Sequence, residues 1–367
     1  MKTVFILLDS WRDDEIDKMD FVNSLKSKSR YGKVDSLLGY GGHLETIFSG
    51  KEIEEHGFWF NIMKSENSKL KWLSKFDIKN KLVKKFFSYL NIFGMLLKGE
   101  DYLLRLYNFD FKSLKYLDFS KRRLTCLENN LFKELENNGK RFWYFNYPFS
   151  YDGRKKINWV KYSDKKVMEL LKKNLKKDYD FYFVHLLGLD RVGHGSGLGE
   201  ERIKKLKEID LLIKNMFKEE YNLIIVGDHG MYNVKETINV KKEINDGLMF
   251  LDSTVARFWF LKNKEEVKMK LEKLGLKVLE KEDYEKYKVR MKNDRYGELI
   301  GICKKGSMIF PNSYNDEISK GMHGYLDENP GFLIYKSEGE DRIKFKDFYL
   351  VLKEFLLKKK HQLESNK

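Results

Sequence analysis

Three apolar runs in this chain each close on an aspartate: VFILLD at Asp9, FVHLLGLD at Asp190 and LIIVGD at Asp228. Runs this short and this apolar read as buried strands. The same pattern marks Thr3 to Leu8, Arg141 to Asn146, Asp180 to Leu187, Asn222 to Val226, Ala256 to Leu261 and Gly331 to Tyr335. Helical periodicity fills several of the intervals, as over Ser163 to Lys176 and Glu200 to Phe217. Strands alternating with amphipathic helices predict an α/β fold, a mostly parallel sheet sandwiched by helices.

No repeat and no Pro/Ser-rich linker separates two units in the 367 residues, so a second unit has to enter as an insertion. Residues 61–135 carry Lys, Phe and Leu at helical spacing and read as a helical insertion. Residues 247–320 hold a strand, a charged helix over Lys264 to Leu274 and further strands, and read as a small α+β insertion. The core is then 1–60, 136–246 and 321–367. Only 3 prolines against 42% hydrophobic residues exclude collagen-like and disordered classes. The net charge of +15 favours anionic partners, although the lysines are spread along helix faces and no nucleic-acid recognition fold accompanies them. Cys126 and Cys303 are far apart and outside any metal-ligand spacing, which suits a reducing compartment. The apolar run before Asp9 is too short for a signal-peptide core, so the expected location is cytoplasmic. Phe86 to Leu97 is the most apolar helical segment; it can lie at a membrane interface, but its length suits a helix packed over a core or lid better.

In an open parallel sheet, ligand sites form outside the carboxyl ends of the strands, so Asp9, Asp190 and Asp228 are expected to converge. Histidines stand at short offsets from two of them, at His194 and His229, and a third lies in Gly321, Met322, His323, Gly324 and Tyr325. Three carboxylates and three imidazoles make a mixed oxygen and nitrogen donor set suited to zinc, manganese or iron. Taken singly, an Asp after a strand reads as a turn or cap residue. A His between glycines reads as a loop residue bonded to a carbonyl. Their joint occurrence, with glycines beside each His, favours the metal reading.

The order Asp9, then Thr46 to Gly50 with His56 and Gly57, then Leu189 to His194, then Gly227 to Met231, then His323 to Tyr325 resembles the alkaline phosphatase superfamily. Within it the pattern is most similar to the type I phosphodiesterase/nucleotide pyrophosphatase branch, over about residues 1–60 and 180–335. The resemblance implies an alkaline phosphatase-like sheet and a hydrolase of phosphodiesters or related phospho compounds. It also implies two divalent ions, zinc first and manganese or iron next. One would be held by Asp190, His194 and His323, the other by Asp9, Asp228 and His229. Two ions roughly 4 Å apart can clamp the attacking and leaving oxygens of an in-line displacement. Three carboxylates offset three of four positive charges, and the remainder attracts an anionic phosphoester.

One departure stands out. The family's Thr or Ser nucleophile lies about ten residues before the Gly of its Thr/Ser-Gly element, and here that position is Tyr40. Anchored instead on relatives with Ser after Leu-Gly-Tyr, the position falls on Gly41. Three readings stay open: Tyr40 attacks; hydroxide on a metal ion attacks while Gly41 and Gly42 admit the substrate and His43 contacts it; or a catalytically silent, metal-dependent anion-binding protein remains. Thr46 lies too far into its helix to attack and is expected to pack or bond locally. A phosphomonoesterase or a sulfatase is the rival within the superfamily, the latter weakened by the lack of a Cys/Ser-x-Pro-x-Arg element. Resemblance places Asp252, Ser253, Thr254 and Arg257 near the site's rim. There Arg257 either binds a second anionic group or forms a surface salt bridge. His185 reads as a satisfied core histidine, His56 as structural and His361 as solvated. The physiological substrate and the oligomeric state are not fixed by the sequence.

Overall fold

The Thr3–Leu8 run is buried along its whole length because it lies between two parallel partners, Phe181–Leu186 and Asn222–Val226. The computed structural model describes residues 1–75, 82–87, 89, 108–120, 129–145, 162–291 and 293–357. Among these, the main sheet has seven strands. Phe142–Phe145 adds in parallel beyond Phe181–Leu186. On the other side Gly331–Tyr335 runs antiparallel, followed by Ser29–Asp35 and Arg342–Lys344. Six of the seven strands therefore end at one edge of the sheet, and the antiparallel Gly331–Tyr335 starts there.

Alternation along each strand divides the apolar side chains between two cores. Val4, Ile6, Leu8 and Val184 face the helices Asp164–Asn174 and Glu200–Met216, meeting Val167, Leu171, Leu206 and Ile213. Phe5, Leu7 and Phe183 face the helices His43–Ser49, Leu131–Asn137 and Asp347–Leu357, meeting Ile47, Phe132 and Leu352. Ser163 accepts from the Lys166 amide and so starts the first of these helices where its apolar period begins.

Residues 247–320 carry a second sheet, antiparallel and four-stranded among the described residues, in the order Leu248–Leu251, Val255–Trp259, Leu299–Cys303, Leu276–Val278. The helix Lys264–Lys273 covers it through Val267 and Leu271. In the stretch 61–135, Ile62–Lys64 pairs with Leu117–Phe119. Leu73, Phe111 and Leu114 pack there on Phe250 and Trp259 of the second sheet. Most of the Phe86 to Leu97 segment lies outside the described residues, as do Cys126 and His361. No described helix is long and apolar enough to cross a membrane.

Two strands of the main sheet, Ser29–Asp35 and Arg342–Lys344, carry no apolar run because they lie at its edge and are only partly buried. Gly32 makes their pairing possible: its φ is +149°, and a Cβ there would stand 1.9 Å from the Asp341 carbonyl oxygen. Gly32→Ala should therefore cost about 2 kcal/mol or more, read as a lower denaturant midpoint. Wild-type stability in that variant would contradict the seating of residues 341–344 on this strand.

Candidate active site

Each expected ligand follows from a local turn at the carboxyl edge. Asp9 is the first residue past its strand and still donates its amide to the Leu186 carbonyl at 3.0 Å. Ser10 turns the chain at φ +67° and donates its amide to Asp228 Oδ1 at 3.0 Å, tying the first loop to the third. A Cβ on Gly227 would meet the Trp11 carbonyl oxygen at 2.1 Å, so only glycine lets these loops touch. Asp190 and His194 share one face of the helix Gly188–Ser196 at i,i+4, with His194 Nε2 3.4 Å from Asp190 Oδ2. His323 is delivered by a two-residue pairing of Gly321–Met322 with Tyr232–Asn233, just past His229.

The six predicted residues meet. His229 Nε2 lies 3.1 Å from Asp9 Oδ1 and 3.5 Å from Asp228 Oδ2. The His323 ring stacks on His229, centroids 3.6 Å apart and planes within 4°, and its Nε2 is 3.9 Å from Asp190 Oδ1. The His194 ring is 5.2 Å from that of His323. His194 Nδ1 lies 2.9 Å from the Gly321 carbonyl and His229 Nδ1 3.0 Å from that of Gly230. Donation there leaves both Nε2 atoms facing the carboxylates. Among the described residues, two groups have donor atoms within 4.8 Å of one another: Asp190, His229 and His323, and Asp9, His185 and Asp228.

That grouping differs from the sequence expectation at three histidines: His229 falls with Asp190 and His323, His194 is in neither group, and His185 enters. His185 is buried and satisfied, as expected, and the partner that satisfies it is a site carboxylate: its Nε2 is 2.9 Å from Asp9 Oδ2. A lone His in an apolar strand carries no outward signal. Its parity did, because residues 181, 183 and 185 share the face of 5, 7 and 9, with Leu7 in register opposite His185.

Charges concentrated out of water set the protonation pattern. Burial works against ionisation of Asp9, but hydrogen bonds with His185 and His229 outweigh it and hold the carboxyl well below its usual range. Burial and the neighbouring Asp9 push Asp228 up to about 6. Burial would lower His229, yet Asp228 and Asp9 raise it well above the usual imidazole value. Burial and the adjoining His229 and His194 drive His323 well below that value, which leaves a neutral imidazole. Asp190 Oδ1 and His323 Nδ1 are buried with no hydrogen-bond partner among the described residues. Oxygen and nitrogen donors left without hydrogen bonds at one rim fit a divalent metal ion.

Two buried charged side chains hold the loops from behind. Arg202 pairs with Glu15 at 2.6 Å and donates to the carbonyls of Ser10 at 2.6 Å and Leu189 at 3.1 Å, fixing the neighbours of Asp9 and Asp190. Glu328 accepts the amides of Gly230 at 3.1 Å, Gly324 at 2.7 Å and Tyr325 at 3.1 Å, tying the His229 loop to the His323 loop. Neither was legible in the sequence, where a buried charge looks like a surface one.

The helix His43–Ser49 starts after Gly42, whose φ is +91° and whose Cβ would meet the Phe58 carbonyl at 2.6 Å. Gly41 is buried beside it and offers no hydroxyl. The buried His43 ring lies 6.2 Å from that of His229 and 5.3 Å from Phe345. Thr46 Oγ1 lies 2.9 Å from His56 Nε2, a local structural contact. The Tyr40 hydroxyl bonds Thr254 Oγ1, and Thr254 donates its own proton to the His323 carbonyl at 2.9 Å. A hydroxyl has one proton, so Tyr40 is the donor in the first bond. Burial and then Asp252 push the phenol well above its usual value.

Arg257 is neither a surface salt bridge nor open to an anionic group. It is 0% exposed, bonds Asp252 at 3.1 Å and the Ile62 carbonyl at 2.7 Å, and lies over the Phe60 and Phe250 rings. Its charged partner is five residues away, but the Phe60 ring and the Ile62 carbonyl that bury it come from a segment distant in sequence.

A layered α/β sheet with acids and imidazoles gathered at its carboxyl edge places the candidate site where open parallel sheets bind ligands. Residues 3–326 match the family model of type I phosphodiesterase / nucleotide pyrophosphatase, and the chain belongs to that family. Over 149 residues it is 30% identical to an ectonucleotide pyrophosphatase/phosphodiesterase of Caenorhabditis elegans, covering 37% of this chain and 19% of that protein. Over 156 residues it is 30% identical to the catalytic subunit of human GPI ethanolamine phosphate transferase 2, covering 36% of this chain and 16% of that protein. The matched part is thus a small fraction of these relatives' lengths. Among solved structures, an inactive variant of murine ectonucleotide pyrophosphatase/phosphodiesterase 5 in complex with AMP superposes with a TM-score of 0.68. It is 18% identical, over 97% of this chain and 95% of that one. The human counterpart gives 0.63 at the same identity and coverage.

Because the buried Asp252 has Arg257 as its charged partner, Arg257→Leu should destabilise the fold by about 3–5 kcal/mol. A variant of normal stability with a raised KM for a phosphoester would instead return Arg257 to the substrate.

Proposed function

We propose that this chain is a metal-dependent hydrolase of phosphodiesters or related phospho compounds, working with two divalent ions, zinc before manganese or iron. The convergence of Asp9, Asp190, His194, Asp228, His229 and His323 supports this most directly, together with the two buried donor atoms left without hydrogen bonds. When bound, the ions would supply the Lewis acidity that stabilises charge on the attacking and leaving oxygens. The chain's own residues position the reactants. Gly41 and Gly42 keep side chains away from the helix start, and His43 stands beside His229 where a bound phosphoester can meet it. The substrate class carried over from the relatives, AMP in the murine complex and ethanolamine phosphate in the human protein's name, is an anionic phosphoester. The net charge of +15 would add long-range attraction.

Water is the favoured attacking group. Gly41 has no nucleophilic atom, and the Tyr40 proton is committed to Thr254 in a setting that opposes a phenolate. Tyr40→Phe should therefore keep turnover within about tenfold of wild type, whereas loss of a nucleophile costs a thousandfold or more.

The deciding assay uses purified protein stripped with a chelator and reloaded with zinc or manganese, given chromogenic phosphate diesters, monoesters and sulfate esters. Diester turnover that vanishes on stripping and returns on reloading is expected. Metal uptake without turnover of any ester would leave a silent anion-binding protein, and a monoester or sulfate preference would select the rival enzymes. Asp228→Ala should lose one equivalent of metal and the activity with it, since it removes a carboxylate from the rim; unchanged metal content would remove Asp228 from the ligands.

A further inference from the structure

We infer that Leu82, Phe86 and Tyr89, with Phe260 just past the strand Val255–Trp259, dock this chain on an anionic lipid bilayer. Residues 82–87 and 89 are helical, and one side of that helix turns inward. Lys84 Nζ donates to the Phe109 carbonyl at 2.8 Å and lies over the Phe111 ring, while Phe87 packs on the small core that holds Leu114 and Trp259. The other side carries Leu82, Phe86 and Tyr89 at i, i+4 and i+7, and they are 75%, 61% and 61% exposed. A helix side facing only water would hold polar residues along that stripe. Phe260 follows Trp259 of the same core and is 51% exposed. Its φ of +58° is a left-handed conformation that a bulky residue seldom adopts, and such strain gathers at functional positions. The Tyr116 ring stands 5.2 Å from the Phe260 ring, and Lys64 Nζ lies 5.1 Å above it. Aromatic rings with lysines beside them suit the boundary between headgroups and acyl chains.

Charge selects the occupant. Residues 61–135, the stretch to which the helix belongs, hold 16 Lys and Arg against 8 Asp and Glu, which is +8 of the chain's +15 in about a fifth of its length. Lys71 and Lys75, both exposed, flank Trp72, whose ring is 6.3 Å from that of Phe87. A second copy of the chain would bring the same positive field against itself. A bilayer with anionic headgroups meets the lysines and takes up the apolar side chains together, and each basic residue near it adds to the attraction. No described helix is long and apolar enough to cross a bilayer, so the docking is interfacial. None of the rim residues takes part, which makes the contact independent of the metal-dependent reading above.

The test mixes the full-length protein with sedimenting vesicles of phosphatidylcholine, either alone or mixed equally with phosphatidylglycerol. Wild type should bind the mixed vesicles at least about tenfold more tightly than the neutral ones, and molar salt should weaken that binding. The double variant Phe86→Ser/Tyr89→Ser and the single variant Phe260→Ser should each bind mixed vesicles about tenfold or more weakly, as should Lys71→Gln/Lys75→Gln. Ring variants that bind as wild type does reduce the effect to bare charge and overturn the inference, as does a wild type that binds neither vesicle. A DNA duplex bound tightly by wild type and weakly by the ring variants gives the patch to nucleic acid and overturns it too. Should a ring variant lose its circular dichroism signal, Phe86→Trp decides. Mixed vesicles should shift its added emission to the blue, and unshifted emission overturns the inference.

Discussion

The guanidinium of Arg202 is the interaction on which the site depends. It is buried beneath the rim and bound on one side by both oxygens of Glu15, at 2.6 and 2.8 Å. That pairing offsets the cost of burying its charge, and on the other side it grips the backbone next to Asp9 and Asp190. Glu328 does the mirror-image work with opposite charge, collecting three amides from the loops of His229 and His323. A cation fixes one half of the rim through its carbonyls and an anion fixes the other through its amides. Rim residues separated by more than three hundred residues of chain are thereby set in place by buried groups behind them.

The second sheet reaches this frame at one point. Thr254 lies between its first two strands, accepts the Tyr40 proton and donates to the His323 carbonyl. Gly324 makes the approach possible, since a Cβ there would stand 2.7 Å from both Thr254 Oγ1 and the Tyr40 ring. Its neighbour Asp252 is held by Arg257, which is packed in turn among Phe60, Phe250 and Trp259. The inserted sheet is therefore braced against the loop of His323, and a change in its packing would be felt at that imidazole.

What could be read in the sequence was whatever the hydrophobic effect writes locally. Apolar runs ending in aspartate gave the parallel strands, the edge at which they finish and the residues that converge there, because burial on both faces leaves no polar alternation to confuse the pattern. The strand Ser29–Asp35, one in from the sheet edge, was hidden because partial burial erases that signature. His185, Arg257, Arg202 and Glu328 were hidden for another reason. A polar side chain inside a protein is satisfied by partners far away in sequence, so nothing in its neighbourhood marks it as buried. Arg257 had the appearance of a surface ion pair because its acidic partner is close in sequence, whereas the Phe60 ring and Ile62 carbonyl that bury it are not.

The glycine at residue 41 has a stereochemical corollary. Enzymes that park a phosphoryl group on a side chain displace at phosphorus twice, restoring the original handedness, and can hand the group to an alcohol instead of to water. A chain with no hydroxyl at that point, and with its nearby phenol already engaged, has nowhere to park it. Under the hydrolysis proposed above, cleavage would be one displacement, a chiral thiophosphate ester would emerge inverted, and the protein would be a poor donor to alcohols even when they are abundant.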